Sequence, residues 1–146
     1  MRAITLFAFL LSLGARAQGV PDAFEMTQRF ADSGAPQIAL ARIEQLQPAA
    51  PSAPRWGDWE QLRCALMYRL NRHQELAQRV AALPSTVAEK VARYCLPLGA
   101  RAAIAAAQGV AARDLLARLI WRQELPADEM RQARLLVIES YLTENK

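Results

Sequence analysis

The sequence predicts an all-α fold, and three observations carry that prediction. About one residue in five is Ala, beside abundant Leu, Arg, Gln and Glu and few runs of Val, Ile or Thr, a vocabulary of helices rather than sheets. Hydrophobic residues make up 53% and charged residues 22% of the 146, which is enough to bury a core and too apolar for a disordered chain. Segments with aliphatic residues four apart end near Gly34, Asn71 and Gly109, positions suited to left-handed turns between antiparallel helices. About three helix pairs followed by a final helix account for the length.

The chain opens with Arg2, an apolar stretch over 3–13, and then Gly14-Ala15-Arg16-Ala17. This is the layout of a secretory signal peptide. The stretch is too short to cross about 30 Å of hydrocarbon, and Ala15-Arg16-Ala17 offers the small-x-small pattern of a cleavage site. Residues 1–17 are therefore expected to be removed, leaving one helical domain over 18–146; an uncleaved anchor is the alternative. No Cys follows the cleavage site, which argues against lipid attachment. Cleavage removes Arg2 and Arg16 and no acid, so 16 basic residues face 14 acidic ones and the net charge falls from +4 to +2. The basic residues are scattered singly, and no nucleic-acid partner is expected.

The elements follow in order. Asp22 with Glu25 reads as a capping box opening the first helix, Gly34 as its stop, and Pro36 as the first turn of the second. Pro48, Pro51 and Pro54 make 48–54 an extended strap between the first two pairs. Asp58 with Gln61 reads as the box of the third helix, Asn71 as the turn into the fourth, and Thr86 with Glu89 as a further box. An extra helical segment over 86–95 is expected before Pro97, which suits a first turn; Gly109 then separates the two helices of the third pair. The last helix spans 126–143. Its Met130, Ala133, Leu135, Leu136, Val137, Ile138, Tyr141 and Leu142 cover well over one face, too apolar for an outer cap. That face is expected to pack back on 96–122, to meet another chain as a homo-oligomer, or to be covered by further sequence.

A repeat runs through the second helices. Ala39-Leu40-Ala41-Arg42-Ile43, Leu76-Ala77-Gln78-Arg79-Val80 and Leu115-Leu116-Ala117-Arg118-Leu119 share one pattern at offsets of 37 and 39 residues. Arg42, Arg79 and Arg118 occupy equivalent places, read as a solvated face covering apolar neighbours or as a shared ligand site. On these segments the chain resembles the tetratricopeptide repeat family. The best stretch is 59–84, where Trp59, Leu62 and Leu66 suit a first helix, Asn71 replaces the usual turn glycine, and Leu76 and Val80 suit the second. Gly34, Ala39, Ile43 and Pro48 hold corresponding places in the first unit. The resemblance implies a right-handed superhelix of antiparallel helix pairs whose concave face holds an extended peptide, a partner helix or another subunit. It further implies a periplasmic scaffold or adaptor. The competing reading makes these residues the N-terminal, non-catalytic helical region of a larger envelope enzyme or exporter.

Little in the sequence points to chemistry. His73 is the single histidine, beside the Asn71 turn, and is expected to pack between helices or at the surface. No G-x-S-x-G, H-E-x-x-H, cysteine cluster or phosphate-binding glycine loop occurs, so no catalytic residue, metal or cofactor is expected. Cys64 and Cys95 form an even pair in an oxidising compartment and are expected to join as a disulfide, stapling neighbouring units and stabilising the fold by about 3–4 kcal/mol. Candidate partner contacts are Trp56, Trp59, Arg63, Tyr68 and Tyr141. The two tryptophans suit stacking on a sugar or gripping a peptide, or, alternatively, anchoring the core.

Overall fold

A computed structural model describes residues 22–122 and 124–144; the signal segment expected over 1–17 lies outside the described residues. All regular structure among the described residues is helical. The helices are α1 (Ala23–Asp32), α2 (Pro36–Leu46), α3 (Trp56–Arg69), α4 (His73–Ala81), α5 (Glu89–Ala105), α6 (Gly109–Arg122) and α7 (Ala127–Leu142). None of the described helices is long and apolar enough to cross a membrane.

The first helix begins where its cap predicts. The Asp22 carboxylate accepts the Phe24 N–H at 3.4 Å, with Glu25 in the first turn at the positive end of the dipole. Pro36 sits in the opening turn of α2, where its missing N–H costs nothing. Gly34 (φ +86°) and Asn71 (φ +57°) both take the left-handed conformation between paired helices. The third such turn falls on Ala107 (φ +57°), not on Gly109, which instead begins α6. A Cβ at Gly109 would strike the Ser140 carbonyl oxygen, so this glycine serves the close approach of α6 and α7.

Four local expectations are corrected. Asp58 is not a cap: α3 starts two residues earlier at Trp56, behind Arg55 in a left-handed conformation, and Asp58 pairs with Lys90 at 3.5 Å. The Thr86 box does not form, since α5 begins at Glu89 after Ala88 with no side-chain cap. Nor is 48–54 an extended strap. Ala53 N–H bonds to Ala50 carbonyl at 3.0 Å and Trp56 N–H to Ala53 carbonyl at 3.1 Å, two successive turns with Pro51 and Pro54 where a turn favours proline. Finally, Pro97 lies inside α5, which runs unbroken through it, so there is no separate segment over 86–95.

The core is continuous from end to end. Ile43, Leu66, Leu76, Leu96, Leu115 and Leu116 are fully buried, and α5 packs on α3, α4, α6 and α7. The odd-numbered helices touch in series, α1 to α3, α3 to α5 and α5 to α7. The equivalent arginines are neither a solvated face nor a shared site. Arg42 donates to the buried Thr27 hydroxyl at 3.4 Å and lies over the Phe30 ring. Arg79 pairs with Glu60, and Arg118 donates to the carbonyls of Ala81 and Leu83 at 2.9 and 2.8 Å. Each of the three thus ties its helix to an earlier one through a charged hydrogen bond.

Candidate functional site: a groove along three helices

A concavity of about 640 Å³ follows from how the last helices splay. Helix α7 packs chiefly on α6 and meets α5 more lightly, which leaves an open channel between α5 and α7 with α3 at its far side. Apolar floor comes from Pro97, Leu119, Ala133 and Leu136. Tyr94 stands on the α5 wall, 44% exposed, and burial of the rest of its ring pushes its phenol above the usual tyrosine range, with the thiols of Cys95 and Cys64 adding to the shift. A smaller hollow continues the channel along Tyr68, Ile104 and Leu135, sharing Arg101, Gln132 and Leu136 with it.

Charges along the channel differ in how they are satisfied. Arg93 donates to Glu129 across the gap at 2.5 and 3.2 Å and lies 3.7 Å from Glu89, so its guanidinium is held in the charged form. Arg101 forms no ion pair among the described residues. The wall also carries one unpartnered polar group and one proline. Gln61 carries its amide nitrogen buried in the channel wall without a partner. On α5, Pro97 has no N–H, so the Arg93 carbonyl loses its helical donor. One unpartnered amide donor therefore lies beside an apolar floor, and a peptide carbonyl is the kind of acceptor that it fits.

The residues expected to meet a partner are scattered. Tyr68 lines the channel. Trp56 and Trp59, 6% and 5% exposed, anchor the core instead, Trp59 standing edge-on to Phe24 with centroids 5.0 Å apart. Arg63 belongs to an internal network described next, and Tyr141 lies away from the channel beneath the Arg113 guanidinium, 4.1 Å from the ring centroid. The sequence reading missed Tyr94, Arg101 and Gln132. Their spacing does carry a signal: 94, 97 and 101 fall on one face of α5, as i, i+3 and i+7 must.

Behind the channel lies a buried ionic cluster at the junction of α2, α3 and α4. Glu60 is fully buried and accepts from Arg79 Nε at 2.7 Å, from Arg79 Nη2 at 2.6 Å and from Gln47 Nε2 at 2.7 Å. Arg63 donates to Gln47 at 3.2 Å and approaches Glu44 at 3.7 Å. Burial, and then the nearby Arg79 charge, lower the Arg63 pKa. With its oxygens filled by internal donors, Glu60 is a structural anion rather than an acid or base for a ligand.

Cys64 and Cys95 are fully buried and side by side, as free thiols in this structure. The adjoining Cys95 thiol, then burial, push the Cys64 pKa up, and in the structure the Cys64 thiol donates to Glu60 at 3.8 Å. His73 opens α4 with its ring edge-on to Tyr68 at 5.2 Å. Among the described residues no group of three or more His, Cys, Asp or Glu is placed to hold a metal ion. No protein-family model, no curated protein and no solved structure matches this chain.

Proposed function

We propose that the protein is an exported, non-enzymatic binding scaffold that holds an extended peptide segment of a partner protein in the channel between α3, α5 and α7. In this reading the helix pairs form a tetratricopeptide-like superhelix in the periplasm, with the channel as its concave face. The observation that carries the reading is an unpartnered polar group beside an apolar floor, the buried Gln61 amide in the channel wall. A peptide carbonyl satisfies it, removing the cost of a buried polar group left unbonded. Arg101 and Tyr94 then select side chains, one by charge and the other by its half-exposed ring.

A phage-displayed random peptide library panned on the purified protein tests the reading. Selected peptides are expected to lose about tenfold or more in affinity on Tyr94→Ala and on Arg101→Ala, since each removes a contact worth about 1.4 kcal/mol or more. Failure to select any peptide, or peptides indifferent to both substitutions in variants of unchanged helicity, overturns it.

The second reading, a helical region within a larger envelope enzyme or exporter, draws on a different observation. Leu135, Ile138 and Leu142 on α7 stand more than half exposed, as a helix still awaiting a neighbour does.

A further inference from the structure

The outward face of α7 carries a pattern that the main channel does not use, Leu135 and Glu139 reaching only the smaller hollow beside it. Among the described helices, α7 packs on α5 and α6, through Ala133, Leu136 and Ser140. Opposite that buried line, Leu135, Ile138 and Leu142 are 54%, 57% and 60% exposed. Spacings of three and four residues place them in one straight seam, the a, d and a positions of a heptad. In the same frame Arg134 is the g position and Glu139 the following e position. Neither forms an ion pair among the described residues.

We propose that this seam joins two copies of the chain through a parallel α7–α7 contact about a two-fold axis. Charge complementarity selects the occupant and its direction. In a parallel pair, g of one helix faces the e position five residues on in the other, so Arg134 of each copy meets Glu139 of its partner twice over. An antiparallel pair instead sets g against g and e against e, which forfeits both Arg134–Glu139 contacts and, centred on the seam, brings the two Glu139 side chains together. At the opposite end of the described residues α1 turns Glu25, Gln28, Arg29 and Asp32 to solvent beside the partly exposed Met26, and exposed Ile38 stands on α2; the apolar groups there form no single-helix seam like that of α7, which favours an isologous, closed dimer. Arg131 and Asp128 hold the preceding d and a positions, so the contact stops at Leu135 and the two helices diverge toward their amino ends, leaving these like-charged pairs apart in water. The main channel faces a different side of α7, through Glu129, Gln132 and Leu136, and stays open in the dimer, whereas the smaller hollow beside it, lined by Leu135 and Glu139, is covered.

Sedimentation equilibrium of the purified protein, from micromolar to submillimolar, is the test. The expected result is a concentration-dependent rise from monomer to dimer mass, abolished by Ile138→Asp. Arg134→Glu and Glu139→Arg are each expected to weaken the dimer by about tenfold or more, because each places like charges across the seam. An equimolar mixture of those two variants restores opposite charges at both contacts and is expected to recover the dimer, which a misfolded variant cannot do. In Leu142→Cys protein the introduced thiols are expected to cross-link to one another, as only a parallel pair brings residue 142 to its own copy. A monomer at every concentration, as when another helix covers the seam, overturns the proposal. So does a dimer indifferent to Ile138→Asp, or an equimolar mixture that stays monomeric.

Discussion

Removing the Glu60 carboxylate tests the internal ionic cluster most sharply. In Glu60→Ala, the Arg79 guanidinium loses two hydrogen bonds of 2.7 and 2.6 Å and the Gln47 amide loses one of 2.7 Å. Glu60 itself is 0% exposed, but its partner Arg79 keeps 29% exposure of its side chain. Breaking a buried pair from one side costs about 3–5 kcal/mol, chiefly through the charge left unpaired. Because Arg79 can turn its head toward water, the expected loss lies at the lower end, about 3 kcal/mol. A cavity beside Cys64, whose thiol lies 3.8 Å from Glu60, prevents the loss from falling much below this. Urea unfolding followed by tryptophan fluorescence is a direct assay, since Trp56 and Trp59 sit on the same helix as Glu60. A paired replacement, Glu60→Met with Arg79→Met, is expected to be far milder than Glu60→Ala, because it removes both charges and refills the space. A loss below about 1 kcal/mol for Glu60→Ala, or a double replacement worse than the single one, refutes the reasoning.

The remaining predictions concern the backbone and the thiols. Ala107→Gly is expected to stabilise the fold by about 0.5–1 kcal/mol, since Ala107 has φ +57° and glycine relieves a left-handed conformation that costs about 1–2 kcal/mol; a lower urea midpoint for the variant refutes this. The reduced protein is expected to lose stability as pH rises above about 9. The Cys64 pKa is raised in the fold, so the unfolded chain releases that proton first and holds fewer protons, and stability falls with pH by up to about 1.4 kcal/mol per unit. Thermal melts between pH 7 and about 10 check the sign, and the Cys64→Ala variant is expected to show a shallower fall. If Cys64 and Cys95 join as a disulfide, two thiols are lost and the same melt flattens for the oxidised protein.

The all-helical class, the turns at Gly34 and Asn71, the Asp22 cap and the Pro36 start were legible because each rests on interactions within a few residues. The repeat pattern likewise located Leu40, Ile43, Leu76, Val80, Leu115, Leu116 and Leu119 in the core, since apolar residues four apart on a helix bury together. Glu60 was legible in hindsight only. It stands four residues after Trp56 and four before Cys64, on the inward stripe of α3, but its composition alone reads as a surface acid until Arg79 and Gln47 arrive from other helices. Pro97 misled for a related reason: the local rule places proline in a first turn, whereas packing of α5 on four other helices holds the helix through it.

Local chemistry therefore determined which segments are helical and which side of each is apolar, because backbone hydrogen bonds and side-chain periodicity are set by near neighbours in the chain. Only the tertiary structure decided which polar groups are spent inside and which remain open. Trp56 and Trp59 went to the core, Arg63 and Arg79 to the Glu60 cluster, and Tyr94, Arg101 and the Gln61 amide to a channel wall. Those assignments depend on distances between helices far apart in sequence. Desolvation decides them, since a buried charge or amide is tolerable only where a partner from another element reaches it.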